Sequence, residues 1–213
     1  EECAWIVSEA EKHAAAAGGW DGHHTNFRTQ NVVVAESDSL LEWLNGRLRD
    51  VIWPALAEQF DVELHELWLL DAFIVRYDPA VQAGLASHWD DSELSFNIAL
   101  SDPAGFEGGG TRFSAAGVTV RPQQGEMISH YGRVFHAGAP VQSGVRYILA
   151  GFVRVETMAA AWRDLRPARI KWASPPARPT GSGQPQGGAG WWGKCTGGVG
   201  APAGGQAPWA WAF

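Results

Sequence analysis

Cysteine is nearly absent: Cys3 and Cys195 are the only two in 213 residues. That is too few for a disulfide framework or a cysteine-rich zinc site. No uninterrupted apolar run approaches the roughly 18 residues that a membrane helix needs, so no span is expected. Charged residues are sparse, at 18% against 46% hydrophobic. A chain this apolar can bury a core, which excludes wholesale disorder. There is no internal repeat and no signal-peptide pattern, and the first residue is Glu1 rather than Met. The expectation is one domain of ordinary size with a tail, as a fragment or trimmed product.

Acidic residues are missing from one end. Residues 157–213 hold six basic side chains (Arg163, Arg166, Arg169, Lys171, Arg178, Lys194) and one acidic, Asp164. The remaining 10 basic and 22 acidic residues give positions 1–156 a net charge of −12. A body this acidic repels phosphate backbones, so no nucleic-acid partner is expected. Residues 174–213 contain 11 Gly and 6 Pro among 40 positions, with Trp191, Trp192, Trp209 and Trp211 at no regular spacing. The composition predicts a disordered tail over 174–213, behind a basic segment at 157–173.

What remains divides into two patterns. Ala4 to Ala17 reads as a helix stopped by Gly18-Gly19, and Val32–Val34 as a short buried strand. Ser39 and Glu42 have the spacing of a capping box, after which Leu41, Leu44, Leu48, Val51 and Ile52 recur at helical intervals. Pro54 is expected to kink or end that helix, with the pattern resuming to about Phe60. From about Leu67 the period changes to short β-favouring runs: Ala72–Tyr77, Leu94–Leu100, Thr111–Phe113, Val118–Val120, Glu126–His130, Val134–His136 and Tyr147–Val155. Closely spaced strands with turn signals between them suggest a sandwich or jelly roll, so the chain reads as α+β. Residues 1–66 form a helical support region of the same domain, and 67–156 its core.

The chemistry concentrates in that core. His88-Trp89-Asp90 sets an imidazole and a carboxylate at i and i+2, which share one side of an extended backbone and can reach one ion. His136 closes a later strand. Two histidines and one carboxylate make the facial triad of non-haem Fe(II) oxygenases, leaving metal positions open. Arg146, at the start of the last strand, can grip one end of a dicarboxylate while its other end chelates the metal. Singly, each has an ordinary alternative: a solvated His–Asp pair, a core histidine, a surface ion pair. Their occurrence together, in this order and on strands, favours the metal site.

These motifs resemble the 2-oxoglutarate- and Fe(II)-dependent prolyl and lysyl hydroxylases. The resemblance rests on Phe73-Ile-Val-Arg-Tyr77, His88-Trp-Asp90, Leu94-Ser-Phe-Asn-Ile-Ala-Leu100, Phe106-Glu-Gly-Gly-Gly-Thr-Arg-Phe113, His130-Tyr-Gly-Arg-Val-Phe-His136 and Gly144-Val-Arg-Tyr147. It covers roughly residues 67–155, extends more loosely to Gly19-Trp20 and Thr29, and leaves out the tail. It implies a double-stranded β-helix, or jelly roll, with Fe(II) held by His88, Asp90 and His136. It also implies Arg146 on the distal carboxylate of 2-oxoglutarate and Tyr77 on the same cosubstrate, although a core tyrosine with a satisfied hydroxyl is an equal reading of Tyr77. In such enzymes 2-oxoglutarate and oxygen yield succinate and carbon dioxide as the substrate gains a hydroxyl, and ascorbate restores the iron.

The resemblance implies a dioxygenase acting on a peptide or protein substrate, prolyl in preference to lysyl; such enzymes often work in the secretory pathway or endoplasmic reticulum, but the sequence itself assigns no compartment. Two departures bear on the substrate. Collagen-type prolyl 4-hydroxylases usually carry Lys where this chain has Arg146, and the Asn that often follows the central-strand Leu is here Ser101. Alternatives of another class are a non-catalytic module on the same fold and a cupin-like zinc or manganese protein. His130 is read as a neighbour of the triad rather than a ligand. Gly108-Gly109-Gly110 is read as a tight turn rather than an anion cradle. His23 and His24 are read as solvated, and Trp89 as facing either substrate or scaffold.

Overall fold

Apolar residues at three- and four-residue spacing make the first third of the chain helical. In the computed structural model, which describes residues 1–20, 29–160 and 210–212, α1 spans Glu2–Ala17 and buries Ile6, Ala10 and Ala14. It stops at Gly18, whose left-handed conformation (φ 92°) lets the last amides return to Ala14 and Ala15. After β1 (Gln30–Val33) comes α2 (Asp38–Arg47). The capping box expected at Ser39 and Glu42 does not form, because α2 starts two residues earlier, with Ser37 at the N-cap position. Ser39 Oγ instead donates to Glu9 Oε2 at 3.1 Å and ties α2 to α1. Pro54 does not end the helix that follows. A π-helical turn over Leu48–Ile52 leads directly into α3 (Trp53–Phe60), with Pro54 in its first turn. The wider turn makes room for a ring that lacks an N–H. The buried stripe Leu44, Leu48, Ile52, Leu56 continues through it.

The strands follow in order: β2 (Leu67–Tyr77), β3 (Leu85–His88), β4 (Leu94–Ala99), β5 (Phe106–Gly108), β6 (Thr111–Phe113), β7 (Val118–Val120), β8 (Glu126–Tyr131), β9 (His136–Gly138), β10 (Val141–Gly144) and β11 (Arg146–Val155). A helix, α4 (Glu156–Ala160), and a strand, β12 (Ala210–Ala212), complete the described elements. All pairings are antiparallel, so the chain is α+β. The large sheet runs β1-β2-β11-β4-β8-β12, the small one β3-β9-β6-β7, and β10 pairs with β5.

Sequence reading did not find β3, β5 and β10, which are three or four residues long and rich in Gly, Ser or Gln with no clean alternation. The strand expected over Val134–His136 begins only at His136, because the Val134 amide closes a turn on the Tyr131 carbonyl at 3.0 Å. Of the tail, Ala210–Ala212 pair with Glu126–Ile128 of β8. His23, His24, Cys195 and residues 161–209 lie outside the described residues.

The central strands β2 and β11 separate two environments. Leu149, Val153 and Val155 of β11 pack toward the helices, as do Leu67, Leu69, Ala72 and Ile74 of β2. Ile148 and Ala150 of β11 join Phe73, Val75 and Tyr77 of β2 on the opposite face. The shift in spacing between Leu69 and Ala72 follows from a β-bulge, since Asp71 pairs with Phe152 and Leu69 with Val153. Without that extra residue, the apolar set of one half of β2 would point to the wrong face.

Candidate metal centre

His88 ends β3 and His136 begins β9, and the two are paired directly across the strands. Asp90 lies two residues past His88. Its amide donates to the Gly132 carbonyl at 2.8 Å, and the Gly132 amide to the Glu93 carbonyl at 3.0 Å. A Cβ at Gly132 would collide with the Ser92 carbonyl, so only glycine permits this close crossing of the segments that carry Asp90 and His136.

The donor atoms of His88, Asp90 and His136 all lie within 4.8 Å of one another. His88 Nε2 is 3.5 Å from Asp90 Oδ1, and His136 Nε2 is 3.7 Å from Asp90 Oδ2. His88 Nδ1 is 2.8 Å from the Ala86 carbonyl, and His136 Nδ1 is 2.9 Å from the Val134 carbonyl. A carbonyl only accepts, so each Nδ1 carries the proton and each Nε2 turns a lone pair toward the centre. Two neutral imidazoles and one carboxylate converge here, with Asp90 and His136 buried and His88 half-buried, a donor set suited to a divalent transition metal.

The electrostatics agree with a site built for a cation. Burial pushes the Asp90 carboxyl up, but when the imidazoles are protonated the hydrogen bond from His88 and the charge of His136 outweigh it and hold the group below its usual range. Burial pushes His88 down, and its bond to Asp90 reverses the direction. For His136 burial prevails and the imidazole is depressed.

His130 lies outside this group. Its ring stands 4.5 Å from that of His136 and 5.3 Å from that of Phe113. Its Nδ1 is 2.9 Å from the Tyr131 carbonyl, and its buried Nε2 has no hydrogen-bond partner among the described residues. Burial, together with the neighbouring His136, brings its pKa down to about 4.

The three donors line a cavity of about 710 Å³ together with Arg146 and Tyr77. Arg146 and Tyr77 are cross-strand partners, with Arg146 Cζ 5.5 Å from the Tyr77 ring centre. Arg146 is only 4% exposed, and among the described residues no carboxylate pairs with it. Burial pushes the guanidinium pKa below its ordinary value and that of Tyr77 above. A buried cation without an anion costs several kcal/mol, so the cavity is prepared for an anionic ligand. Trp89 and Phe135, 43% and 56% exposed, stand at its rim, and Arg133 Cζ lies 5.3 Å from the Trp89 ring centre. Asn97 and Thr111 also line it. No sequence signal singled these two out, because their approach to the donors depends on how the strands pack.

No family model matches the chain. It is similar to procollagen-lysine,2-oxoglutarate 5-dioxygenase 2 of Homo sapiens, with 30% identity over 161 residues, which is 71% of this chain and 22% of that protein. Procollagen-lysine,2-oxoglutarate 5-dioxygenase 1 of Gallus gallus is 41% identical over the same length and shares. The chain thus spans about a fifth of the length of the curated relatives it matches. Among solved structures, it shares the fold of the viral collagen prolyl hydroxylase of Paramecium Bursaria Chlorella virus-1, determined as a 2OG complex. The TM-score is 0.52 at 18% identity, covering 72% of this chain and 90% of that one.

Proposed function

Because the chain belongs to the superfamily of 2-oxoglutarate- and Fe(II)-dependent dioxygenases, we propose that it hydroxylates a peptidyl prolyl or lysyl residue, coupled to conversion of 2-oxoglutarate to succinate and carbon dioxide. The observation that carries this reading is one cavity lined by the His88, Asp90 and His136 donors and by the buried Arg146, which has no carboxylate partner among the described residues. The two antiparallel sheets that contribute to this cavity support a double-stranded β-helix.

In this reading His88, Asp90 and His136 hold Fe(II), which supplies oxygen activation when bound. The protein's own groups do the rest. The carbonyls of Ala86 and Val134 fix the imidazole tautomers, so no proton must leave either histidine on binding. The Arg146 fork receives the distal carboxylate of 2-oxoglutarate through two parallel donors, and burial strengthens that grip. Tyr77, beside it, presents its hydroxyl to the same ligand. Phe73, Val75, Ile148 and Ala150 give this part of the cavity apolar walls that exclude water from the carbon chain. Trp89 and Phe135 offer the acceptor side chain two aromatic faces at the rim.

The sequence places prolyl ahead of lysyl, whereas the curated relatives are named for lysine. A panel of prolyl, lysyl and small-molecule acceptors, with iron, 2-oxoglutarate and ascorbate, tests the reading by mass spectrometry and succinate assay. The expected result is a mass gain of one oxygen on a peptide with matching succinate. Hydroxylation of the small acceptors alone would overturn the peptidyl assignment. Absence of iron-dependent succinate with every acceptor would overturn the enzymatic one.

A further inference from the structure

The Gly108-Gly109-Gly110 run joins β5 to β6 and packs beside the Arg146 side chain. Its amides do not form an open cradle, because the Gly109 N–H already donates to the Pro140 carbonyl at 2.8 Å. What these glycines supply is room for two cations. A Cβ at Gly109 would stand 2.9 Å from Arg146 Cδ, and one at Gly110 would stand 2.9 Å from Arg121 Cγ. The stems of both arginines therefore rest on bare backbone, and both side chains line a second, smaller cavity of about 220 Å³. Ser101, Gly108, Gly110 and Tyr147 also line it, and no Asp or Glu does.

Two like charges share this space, and among the described residues no carboxylate lines it. Arg146 is buried and, among the described residues, has no carboxylate partner. Arg121 makes one long hydrogen bond, from Nε to the Gly108 carbonyl at 3.4 Å. Beyond the effect of burial, the charge of Arg121 presses on the ionisation of Arg146. An arrangement of this kind is stabilised by an anion that both guanidinium forks can reach.

We propose that the smaller cavity is an anion site separate from the main chamber, in which Arg121 and Arg146 together hold a small oxyanion, either a carboxylate or inorganic phosphate. The volume suits acetate or phosphate and excludes a nucleotide. Arg146 lines both cavities, so an anion here and a dicarboxylate in the main chamber act on one guanidinium. Their affinities are then linked, each changing the other by the same factor.

The test uses metal-free protein without 2-oxoglutarate, so it does not depend on turnover. Thermal unfolding is followed against rising phosphate and, separately, rising acetate, with ionic strength held constant by chloride. The wild type is expected to show a saturable rise in Tm with at least one probe, and the tighter probe identifies the class. Arg121→Gln should weaken that binding about tenfold or more, as loss of a charged hydrogen-bonding partner does. Arg121→Lys, which keeps the charge but not the fork, should fall between them. Arg121 is exposed, so these variants are expected to keep the wild-type far-UV spectrum. A rise that does not saturate, or an equal affinity in wild type and Arg121→Gln, would overturn the proposal. A protein that forms succinate yet fails this test leaves the functional reading standing, and one that passes without forming succinate leaves the anion site standing.

Discussion

The two faces of the β2–β11 pair, formed by alternate residues of the same two strands, could hardly differ more. Toward the helices, Ile74, Leu149, Val153 and Val155 meet Leu40, Leu44, Ile52 and Leu56 in a core where apolar groups cover one another. Toward the small sheet, Arg146 lies among Phe73, Val75, Ile148 and Ala150 with no carboxylate partner among the described residues, and three side chains able to hold a metal share the same space. The first face gains stability with each side chain it buries, by about 1.5–3 kcal/mol apiece. The second holds a buried cation and converging donors at a cost, which is the mark of a surface shaped for ligands rather than for folding. A sheet can hold both because period-two alternation isolates them.

If this division is correct, substitutions on the two faces separate ligand binding from stability. The largest effect belongs to the donors. His88→Ala, Asp90→Ala and His136→Ala should each weaken anaerobic Fe(II) binding, measured by calorimetry, by more than the roughly 10- to 100-fold that loss of an outer hydrogen-bond partner costs. Their far-UV spectra should stay unchanged. Near-normal iron affinity in any of the three would remove that residue from the donor set.

On the helix face the pattern reverses. Leu44→Ala should lower the unfolding free energy by about 2–5 kcal/mol in urea titration, while iron affinity of the folded protein stays within error. A smaller effect of opposite sign is expected from Arg146→Met in the absence of 2-oxoglutarate. Removing a buried, unpaired cation should raise stability by roughly 1–3 kcal/mol, the scale found when buried charges give way to apolar side chains. Destabilisation by Arg146→Met would mean that the guanidinium supports the fold.

The smallest effect lies on the surface, where Glu2 joins α1 to α2. Burial alone would raise its carboxyl, but hydrogen bonds from Trp43 and Arg47 (2.6 and 2.7 Å) and the charge of Arg47 hold it below the usual range. A depressed folded pKa means the contribution is complete above the ordinary carboxylate range, near 4.5, and is lost as pH falls through the lower folded value. The Glu2 side chain is 39% exposed and its ion pair is screened by solvent, so Glu2→Gln should cost only about 0–1 kcal/mol at pH 7. The difference from wild type should vanish in acid.

How much of this was legible in the sequence depended on whether a signal was local. His88 and Asp90 could be recognised because i and i+2 share a side of extended chain. The second helix could be recognised because Leu41, Leu44, Leu48, Val51 and Ile52 recur at helical spacing. The pairing of His88 with His136 depends on β3 and β9, four and three residues long, whose register is set by neighbours distant in the chain. The capping box failed for a similar reason, since a carboxylate on α1 competes for Ser39. The triple glycine looked like a turn, and only three-dimensional contact reveals the two arginine stems lying against it. The lack of an anion beside Arg146 has no sequence signature at all.

The central claim is that the polar face is one working site, and succinate formation tests it most directly. Purified protein is supplied with Fe(II), ascorbate and an acceptor peptide, and 2-oxoglutarate is titrated at saturating iron. The account predicts iron-dependent succinate in wild type, none above background in His136→Ala, and a KM for 2-oxoglutarate raised in Arg146→Lys and raised further in Arg146→Ala. Equal succinate from wild type and His136→Ala, or an unchanged KM in both Arg146 variants, would contradict it.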